Sequence, residues 1–560
     1  MKIQKTLFFL ISLSLITILI LADQRAAGFL PLFEITTAAI SVAVTYLHHN
    51  ITDFVGLSEI YEHFKKIEKL PNLYQEYYNH LGGILINSEN LGQFKSYSNA
   101  INEKLLEARN LNITNPKDII IYENDIGTIF FFIFAFKIFG LSINSISLLF
   151  LSIIIITSLF FYLNFHKNDK YFFLLQTILF ALIIAIINNY GGNREIFSLN
   201  NFRFFTVLSI IPLIHFILIF FEEKINIKSF LFTVPQIVIL IFLINTRSTI
   251  LWSQFFILII FFYVFFKMLK NFKRNKIKIC LSSSLIIFNF LVMVFFNNLV
   301  SNNLNKNYFD GAQIKKTQVT WHSMVQSILM FPKFHEKYVC SNKKINDPAS
   351  LPYLIKCGEY PKIFNDSNKP SFYKDIIFYQ PNDYFSSQAV INYLDRNNIS
   401  KNLGTGMESP TGLNYDLKLY NDILKKIYFD IIKNHPLDFL YIHLIIKPLR
   451  LLFELIKFSF YFLNAFNLNT IILSFIFLAS LASQLFLIIK FKFKKTEQND
   501  YFGINYLIEK IISVAIMILC SISLIFYASH QSGALDLMIF IIIFVMLYIK
   551  NLFDNKKKKQ

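Results

Sequence analysis

The sequence lacks the short motifs that mark the common nucleotide and zinc chemistries. It contains no P-loop pattern, no G-x-G-x-x-G after a strand and no H-E-x-x-H, and those spacings are what cradles a phosphate or holds zinc. Gly191-Gly192 is a loop pair without that context, and His48-His49 has no supporting cluster of ligands. Direct use of ATP is therefore not expected, and an interfacial position suits the histidine pair better than a metal site.

Glycine, proline and charge are scarce inside the long apolar runs. The 560 residues include 16 Gly and 14 Pro, and only 16% of them are charged. Transporters usually bind at mid-membrane, often through helices broken by Gly or Pro, and frequently show internal repeats. The runs here carry almost no charge at their centres and show no repeat, which argues against a transporter.

The chain instead contains long apolar runs. Hydrophobic residues make up 54% of it, and the mean hydropathy is +0.47. Several runs reach the roughly 20 residues that a spanning helix needs. They are continuously apolar rather than alternating, which disfavours a membrane β-barrel. The sequence therefore predicts an all-α polytopic membrane protein.

The net charge of +18 follows membrane topology rather than nucleic-acid binding. Short loops between apolar runs hold the basic residues, as expected for cytoplasmic loops, and no nucleic-acid-binding module accompanies them. These residues are Lys267, Lys270, Lys273, Arg274, Lys276 and Lys278, then Lys490, Lys492, Lys494 and Lys495, then Lys556–Lys559. No nucleic-acid partner is expected.

About ten spans follow from run length and loop charge. The first run is interpreted as an uncleaved helix rather than a signal peptide, which places both termini in the cytoplasm of a bacterium and the chain in its inner membrane. The spans are predicted at 7–22, 143–165, 171–189, 204–221, 229–245, 249–267, 279–299, 468–490, 508–528 and 533–550.

Three regions result from this topology. Residues 1–299 form an N-terminal transmembrane module with a first periplasmic loop at 23–142. Residues 300–440 form a large periplasmic loop region, and 441–560 hold the C-terminal spans and a basic cytoplasmic tail. The stretch 435–464 is predicted to be an amphipathic interfacial helix, because its charged and proline residues make a lipid-exposed span costly. These are Lys447, Pro448, Arg450, Glu454 and Lys457.

Two cysteines fall in the 300–440 region. An oxidising periplasm favours a disulfide between Cys340 and Cys357. The alternative is two free thiols that lie too far apart to bridge. Cys280 and Cys520 fall in apolar runs, where packing is the expected role.

One apolar run is too short to cross a bilayer. "TIFFFIFAFKIFG", residues 128–140, follows the acidic pair Glu123 and Asp125 and precedes a full-length span. We expect it to form a helix along the outer membrane face, with a turn at Gly140 that leads into the span. The acidic pair would then lie at the edge of a cavity.

Polar side chains collect at the predicted outer ends of the helices. Charges at membrane depth usually face a cavity or one another. Arginine binds phosphate through its bidentate fork, and a carboxylate can act as general base on a hydroxyl. Solvated charges that only fix helix ends are the alternative for each residue taken alone. The set is Asp23, Glu123, Asp125, Arg194, Glu195, Arg203, Arg247, Trp321 and His322.

This arrangement resembles the GT-C class of membrane glycosyltransferases, in particular the dolichyl-phosphate-mannose–protein mannosyltransferases and the bacterial lipid-A aminoarabinose transferases. Two similar features are an acidic residue after the first helix and a long outer loop. A third is the order of a short hydrophobic helix, a small-residue turn and a full span, found here in "TIFFFIFAFKIFGLSINSISLLFLSIIII". A second resemblance is to bacterial multi-spanning proteins with "NDxG…AFxxFG", "RF" and "WHS" segments, found here at 124–127, 203–204 and 321–323.

The GT-C resemblance implies a polyprenyl-phosphate sugar donor, an acceptor on the outer face and inversion at the sugar. It implies a carboxylate base in the first outer loop, which makes Asp23 the first choice and Asp125 the second. Gln24 stands where the mannosyltransferases have a second acidic residue. Many members need a divalent metal ion and others do not, so the metal requirement stays open.

Three alternatives to the transferase remain. A polysaccharide polymerase or O-antigen-ligase-like protein would rely on Arg203, Arg247 and His322 rather than Asp23. The others are a transporter and a membrane protein without catalysis. The sugar and the glycan, lipid or protein acceptor do not follow from the sequence.

Overall fold

The computed structural model describes residues 2–22, 40, 43–48, 102–111, 127–142, 144–190, 208–222, 225–246, 248–269, 272–302, 320–329, 331–340, 384–398, 417–447 and 449. All regular secondary structure in these residues is helical. The chain divides into two compact units, and the described residues up to 302 belong to the first and those from 320 to 449 to the second.

The first unit contains eight long helices among its described residues. They are α1 (Lys2–Ala22), α2 (Gly127–Phe139), α3 (Asn144–Phe165), α4 (Asp169–Tyr190), α5 (Ile210–Phe221), α6 (Ile227–Thr246), α7 (Trp252–Leu269) and α8 (Phe272–Asn302). Their positions match the predicted spans within this region to a few residues, apart from α2, which is the short apolar run. The helical character of the sequence prediction is confirmed here.

Four of these helices are long and apolar enough to cross a bilayer. Their qualifying segments are Ile3–Leu21, Asn144–Phe165, Ile227–Thr246 and Asn275–Leu299, and shorter apolar segments lie in α2, α4, α5 and α7. This composition fits an all-α membrane protein. The three predicted spans beyond residue 460 lie outside the described residues.

Helix α6 lies at the centre of the first unit. It packs against α2, α3, α5 and α8, whereas α1 packs mainly against α4. In a bilayer, helices associate through close packing and interhelical hydrogen bonds rather than through the hydrophobic effect. Several such bonds join helix pairs here; for example, Ser12 Oγ donates to Gln176 Oε1 (2.8 Å), and Asn289 Nδ2 donates to Gln254 Oε1 (2.6 Å).

The second unit is a small helical domain. It contains α9 (Thr320–Leu329), α10 (Tyr384–Arg396), α11 (Leu417–Asn434) and α12 (Pro436–Tyr441), with π-helical segments at His335–Val339 and Ile442–Ile446. Its core is a cluster of buried apolar side chains from α9, α10, α11 and the two π-helical segments, and Phe439 and Tyr441 of α12 pack against it. Buried Asn392 joins two of them, because its Nδ2 donates to the carbonyl oxygens of Tyr338 (2.9 Å) and Val339 (2.7 Å).

The described part of the predicted interfacial helix, residues 436–447, belongs to this second unit. Ile442 and Ile446 enter its core, whereas Leu437 and Leu440 are exposed. The segment therefore has apolar side chains on both its buried and its exposed sides, and its position at the membrane interface stays a prediction. Lys447 is completely buried within the unit, so its charge is removed from lipid by protein packing.

Candidate functional site

Most of the predicted site residues lie outside the described residues. These are Asp23, Glu123, Asp125, Arg194, Glu195, Arg203 and Arg247, together with Cys357. Their convergence on one cavity stays a prediction. Trp321 and His322 lie in the first turn of α9 in the second unit, and Cys340 follows the π-helical segment at His335–Val339.

The first residue of α2 lies in close contact with the end of α6. A Cβ atom on Gly127 would lie 2.2 Å from the carbonyl carbon and oxygen of Asn245 and 2.6 Å from the amide nitrogen of Thr246. Thr128 Oγ1 donates to the carbonyl oxygen of Thr246 (3.3 Å). The start of α2 is thus held against the last turn of α6, and only glycine fits at the contact.

The predicted turn after α2 is present at Gly140. Gly140 has φ +89°, a value that L side chains rarely adopt. Its amide donates to Phe136 O (3.0 Å), and Ser145 Oγ donates to Gly140 O (2.6 Å), so the turn closes α2 and begins α3. Ser142 Oγ also donates to Asn102 Oδ1 (3.2 Å), which joins the turn to a helical stretch at 102–108.

Trp321 lies against α11 and is partly exposed. Its ring is 5.5 Å from that of Tyr428 and 5.6 Å from that of Phe429, measured between centroids. Lys425 Nζ lies 5.9 Å from the Trp321 centroid, in range of a cation–π contact. Trp321 therefore belongs to a surface that mixes aromatic and basic side chains.

A buried polar cluster in the second unit was not predicted as a site. Lys447 Nζ donates to Ser327 Oγ (2.7 Å) and to His443 Nε2 (3.1 Å). Ser327 Oγ donates to Met324 O (2.6 Å), and His443 Nδ1 is 2.9 Å from Phe439 O. These contacts make His443 a neutral imidazole with its proton on Nδ1 and its Nε2 as acceptor.

Burial determines the chemistry of this cluster. Desolvation lowers the pKa of Lys447 well below its ordinary value. A lysine whose pKa is lowered next to a serine hydroxyl is a combination that can activate a nucleophile. However, Lys447 and Ser327 are both completely buried, so a substrate would have no access to them. The cluster fits a packed polar core, and the sequence signal for it was a lysine in an otherwise apolar stretch.

Two further groups of the second unit have shifted pKa values. Burial lowers the pKa of His335 to about 4, although a backbone hydrogen bond acts in the opposite direction. Burial also raises the pKa of Tyr338, and so does the bond from its hydroxyl to Asp430 Oδ2 (2.9 Å). Both groups are therefore uncharged at neutral pH.

The first unit contains a second buried polar cluster, centred on His215 of α5. Gln236 Nε2 lies 3.1 Å from His215 Nδ1 and donates to Thr157 O (2.7 Å). Thr233 Oγ1 lies 3.3 Å and Asn164 Nδ2 3.1 Å from His215 Nε2. Because Gln236 is a donor to Nδ1, the ring proton is on Nε2, and Asn164 is best assigned with its oxygen toward the ring. The cluster joins α3, α5 and α6.

Removing the histidine ring should destabilise the first unit. His215→Leu leaves the buried Gln236 amide and Thr233 hydroxyl without this partner, which costs about 1–3 kcal/mol. Detergent-solubilised protein should therefore unfold at a lower SDS concentration. The double variant His215→Leu/Gln236→Leu should recover part of the loss, because it removes both partners. Equal loss in the double and single variants would contradict a direct bond between the two side chains.

Metal-binding residues do not cluster in the described part of the chain, where no three His, Cys, Asp or Glu side chains are grouped to hold an ion. No protein-family model, no curated protein and no solved structure matches the chain.

Proposed function

We propose that the chain is a membrane glycosyltransferase of GT-C type that moves a sugar from a polyprenyl-phosphate donor to an acceptor on the periplasmic face of the inner membrane. The observation that carries the proposal is the contact of Gly127 with Asn245 and Thr246. It brings together the two segments that contain a candidate base, Asp125, and a candidate phosphate ligand, Arg247.

Covalent geometry limits how far apart these two candidates can lie. Asp125 precedes Gly127 by two residues, and Arg247 follows Thr246 directly. With consecutive Cα atoms 3.8 Å apart, the Cα atoms of Asp125 and Arg247 are within roughly 17 Å of one another. A separation within this limit is compatible with one common site for a sugar phosphate.

Loop charge supports a periplasmic position for this contact. The loops after 165, 221 and 267 are short and contain lysine, whereas the loop after 245 is not rich in lysine. Under the positive-inside rule, the end of α6 then faces the outside. Cys340 is disulfide-bonded, as expected in an oxidising compartment. Its pairing with Cys357 stays a prediction, because its partner lies outside the described residues.

Each residue in the proposal has a defined role. Asp23 or Asp125 removes the proton from the acceptor hydroxyl as it attacks the anomeric carbon, and the polyprenyl phosphate leaves. Arg247, with Arg194 and Arg203, binds the donor phosphate through guanidinium forks and stabilises its charge on departure. Glu123 and Glu195 orient these arginines. A divalent ion, where required, would bind the same phosphate.

Isosteric substitution tests the proposed base. Cells that carry Asp23→Asn or Asp125→Asn as the sole copy should lose the glycan or glycolipid product, because removal of a general base costs about 10²–10⁴ in rate. Mass spectrometry of surface glycans and lipid extracts measures the product. Glu103→Gln is the control, since Glu103 is an exposed carboxylate of the same loop.

The same experiment separates the ligase-like alternative. Loss of product in His322→Ala with normal product in both aspartate variants would favour a ligase or polymerase. Unchanged product in all three variants would refute both sets of candidate residues.

A further inference from the structure

One surface of the second unit combines exposed apolar, aromatic and basic side chains. We call it the aromatic–lysine face and define it by Trp321, Lys425, Phe429, Lys433 and the exposed leucines of α12. Phe429 is 50% exposed, Leu437 79% and Leu440 49%. Trp321 and Phe429 are in contact, and α12 follows α11 after a single residue. Large exposed apolar side chains on a folded domain usually mark a surface that contacts a partner.

The helical register of α11 explains why these side chains lie together. Lys425, Phe429 and Lys433 recur every four residues and therefore share one side of the helix. The opposite side packs into the core through Ile423, Leu424, Ile427 and Ile431. Trp321 extends the exposed side, since its ring contacts Phe429 and Lys425.

The composition of the face favours lipid over protein as its partner. Lysine is depleted in protein–protein interfaces, whereas lysines beside Trp, Phe and Leu are typical of helices that lie on a membrane. Tryptophan favours the headgroup level of a bilayer. A bilayer is also available to this chain, because its first unit contains helices that are long and apolar enough to cross one.

We propose that the aromatic–lysine face docks the second unit on the anionic phospholipid surface of the bilayer that holds the chain. Leu437, Leu440 and Phe429 enter the boundary between headgroups and acyl chains, and Lys425 and Lys433 contact lipid phosphates. This inference is independent of the proposed glycosyltransferase activity, because no residue of the face, including the predicted site residue Trp321, has a role in the proposed transfer.

Intrinsic fluorescence can test the docking directly, because the chain has two tryptophans, Trp252 and Trp321. The full-length Trp252→Phe variant is placed in nanodiscs of phosphatidylglycerol and phosphatidylcholine whose acyl chains are brominated near the headgroup. Trp321 emission should be quenched by the brominated lipid. The difference spectrum between wild-type protein and Trp321→Phe gives the same information without altering Trp252.

Charge substitutions then test the role of the lysines. A lysine near an anionic surface contributes about fivefold to binding, so Lys425→Gln/Lys433→Gln should lower the ratio of docked to undocked protein by about thirtyfold. Arg396→Gln/Lys426→Gln is the matched control, since it removes two exposed basic side chains of the same unit that are not among the residues defining the face. The ratio of docked to undocked wild-type protein should fall in a similar way when the nanodiscs contain no phosphatidylglycerol.

Three outcomes would overturn the proposal. Docking shields Trp321 from water. Strong quenching by acrylamide without quenching by brominated lipid therefore contradicts docking. Protection from both quenchers would indicate a protein partner. Equal losses in the two double variants would show that net charge, rather than this face, controls the interaction.

Discussion

Gly127→Ala should be among the most damaging single substitutions in the first unit. The new Cβ atom would lie 2.2 Å from the backbone carbonyl of Asn245. Neither partner is a flexible side chain, so α2 and α6 must move apart to admit it. Overpacking in a close-packed interior costs about 1–3 kcal/mol and occasionally more, and we expect the upper end of this range. SDS-induced unfolding of the detergent-solubilised protein measures the loss.

Gly140→Ala provides the matched control. A Cβ atom at Gly140 meets no other atom within 4 Å, but the residue has φ +89°. Its cost is therefore conformational strain alone, about 1 kcal/mol. Similar stability for Gly127→Ala and wild type would contradict the contact between α2 and α6. If Gly127→Ala also abolishes product formation while Gly140→Ala does not, the contact positions the residues proposed to act on the donor.

The sequence predicted the helices of the first unit well because the bilayer imposes a simple rule. A spanning segment must satisfy its own backbone and remain apolar over its length, so run length locates α1, α3, α6 and α8. Shorter apolar runs locate α4, α5 and α7. The turn at Gly140 was also predictable, because glycine and small residues interrupt an apolar run there. These features depend on local sequence.

The polar clusters could not be predicted in the same way. Lys447 was recognisable as costly in lipid, but its bond to Ser327 depends on how α9 packs in the second unit. His215 likewise gave no signal, because a single histidine in an apolar helix does not reveal that α3 and α6 supply its partners. Partners that are distant in sequence are determined by tertiary packing.

The aromatic–lysine face depends partly on local sequence and partly on tertiary packing. Its period of four is readable in α11 from the sequence, yet a lysine-rich helix face is usually solvated. Trp321 belongs to α9, about a hundred residues before α11 in the chain, so its contacts with Phe429 and Lys425 are not readable from the period of α11. Sequence reasoning selected Trp321 as a substrate ligand, whereas its surroundings suit a membrane surface.

The free energy of unfolding of the second unit should rise between pH 7 and pH 9 because of Lys447. Burial lowers the pKa of Lys447 in the folded state, so the unfolded state binds the proton more tightly in this range. Unfolding then takes up a proton, and the free energy of unfolding rises with pH at a slope approaching about 1.4 kcal/mol per unit. This contribution is complete above the ordinary lysine pKa and is lost as the pH falls toward the folded value.

Hydrogen exchange of peptides from residues 417–447 measures this slope in the full-length protein, after correction for the intrinsic exchange rate. The pH range avoids His335, whose folded pKa of about 4 affects stability only between that value and its ordinary 6.5. Lys447→Met should abolish most of the slope and stabilise the unit at pH 7, as replacement of buried charged groups by apolar ones often does. Lys433→Met, at an exposed position of α11, should keep it. A flat profile for the wild-type protein, or the same slope in Lys447→Met, would show that Lys447 keeps its proton inside the core and that Ser327 and His443 bind an ammonium group.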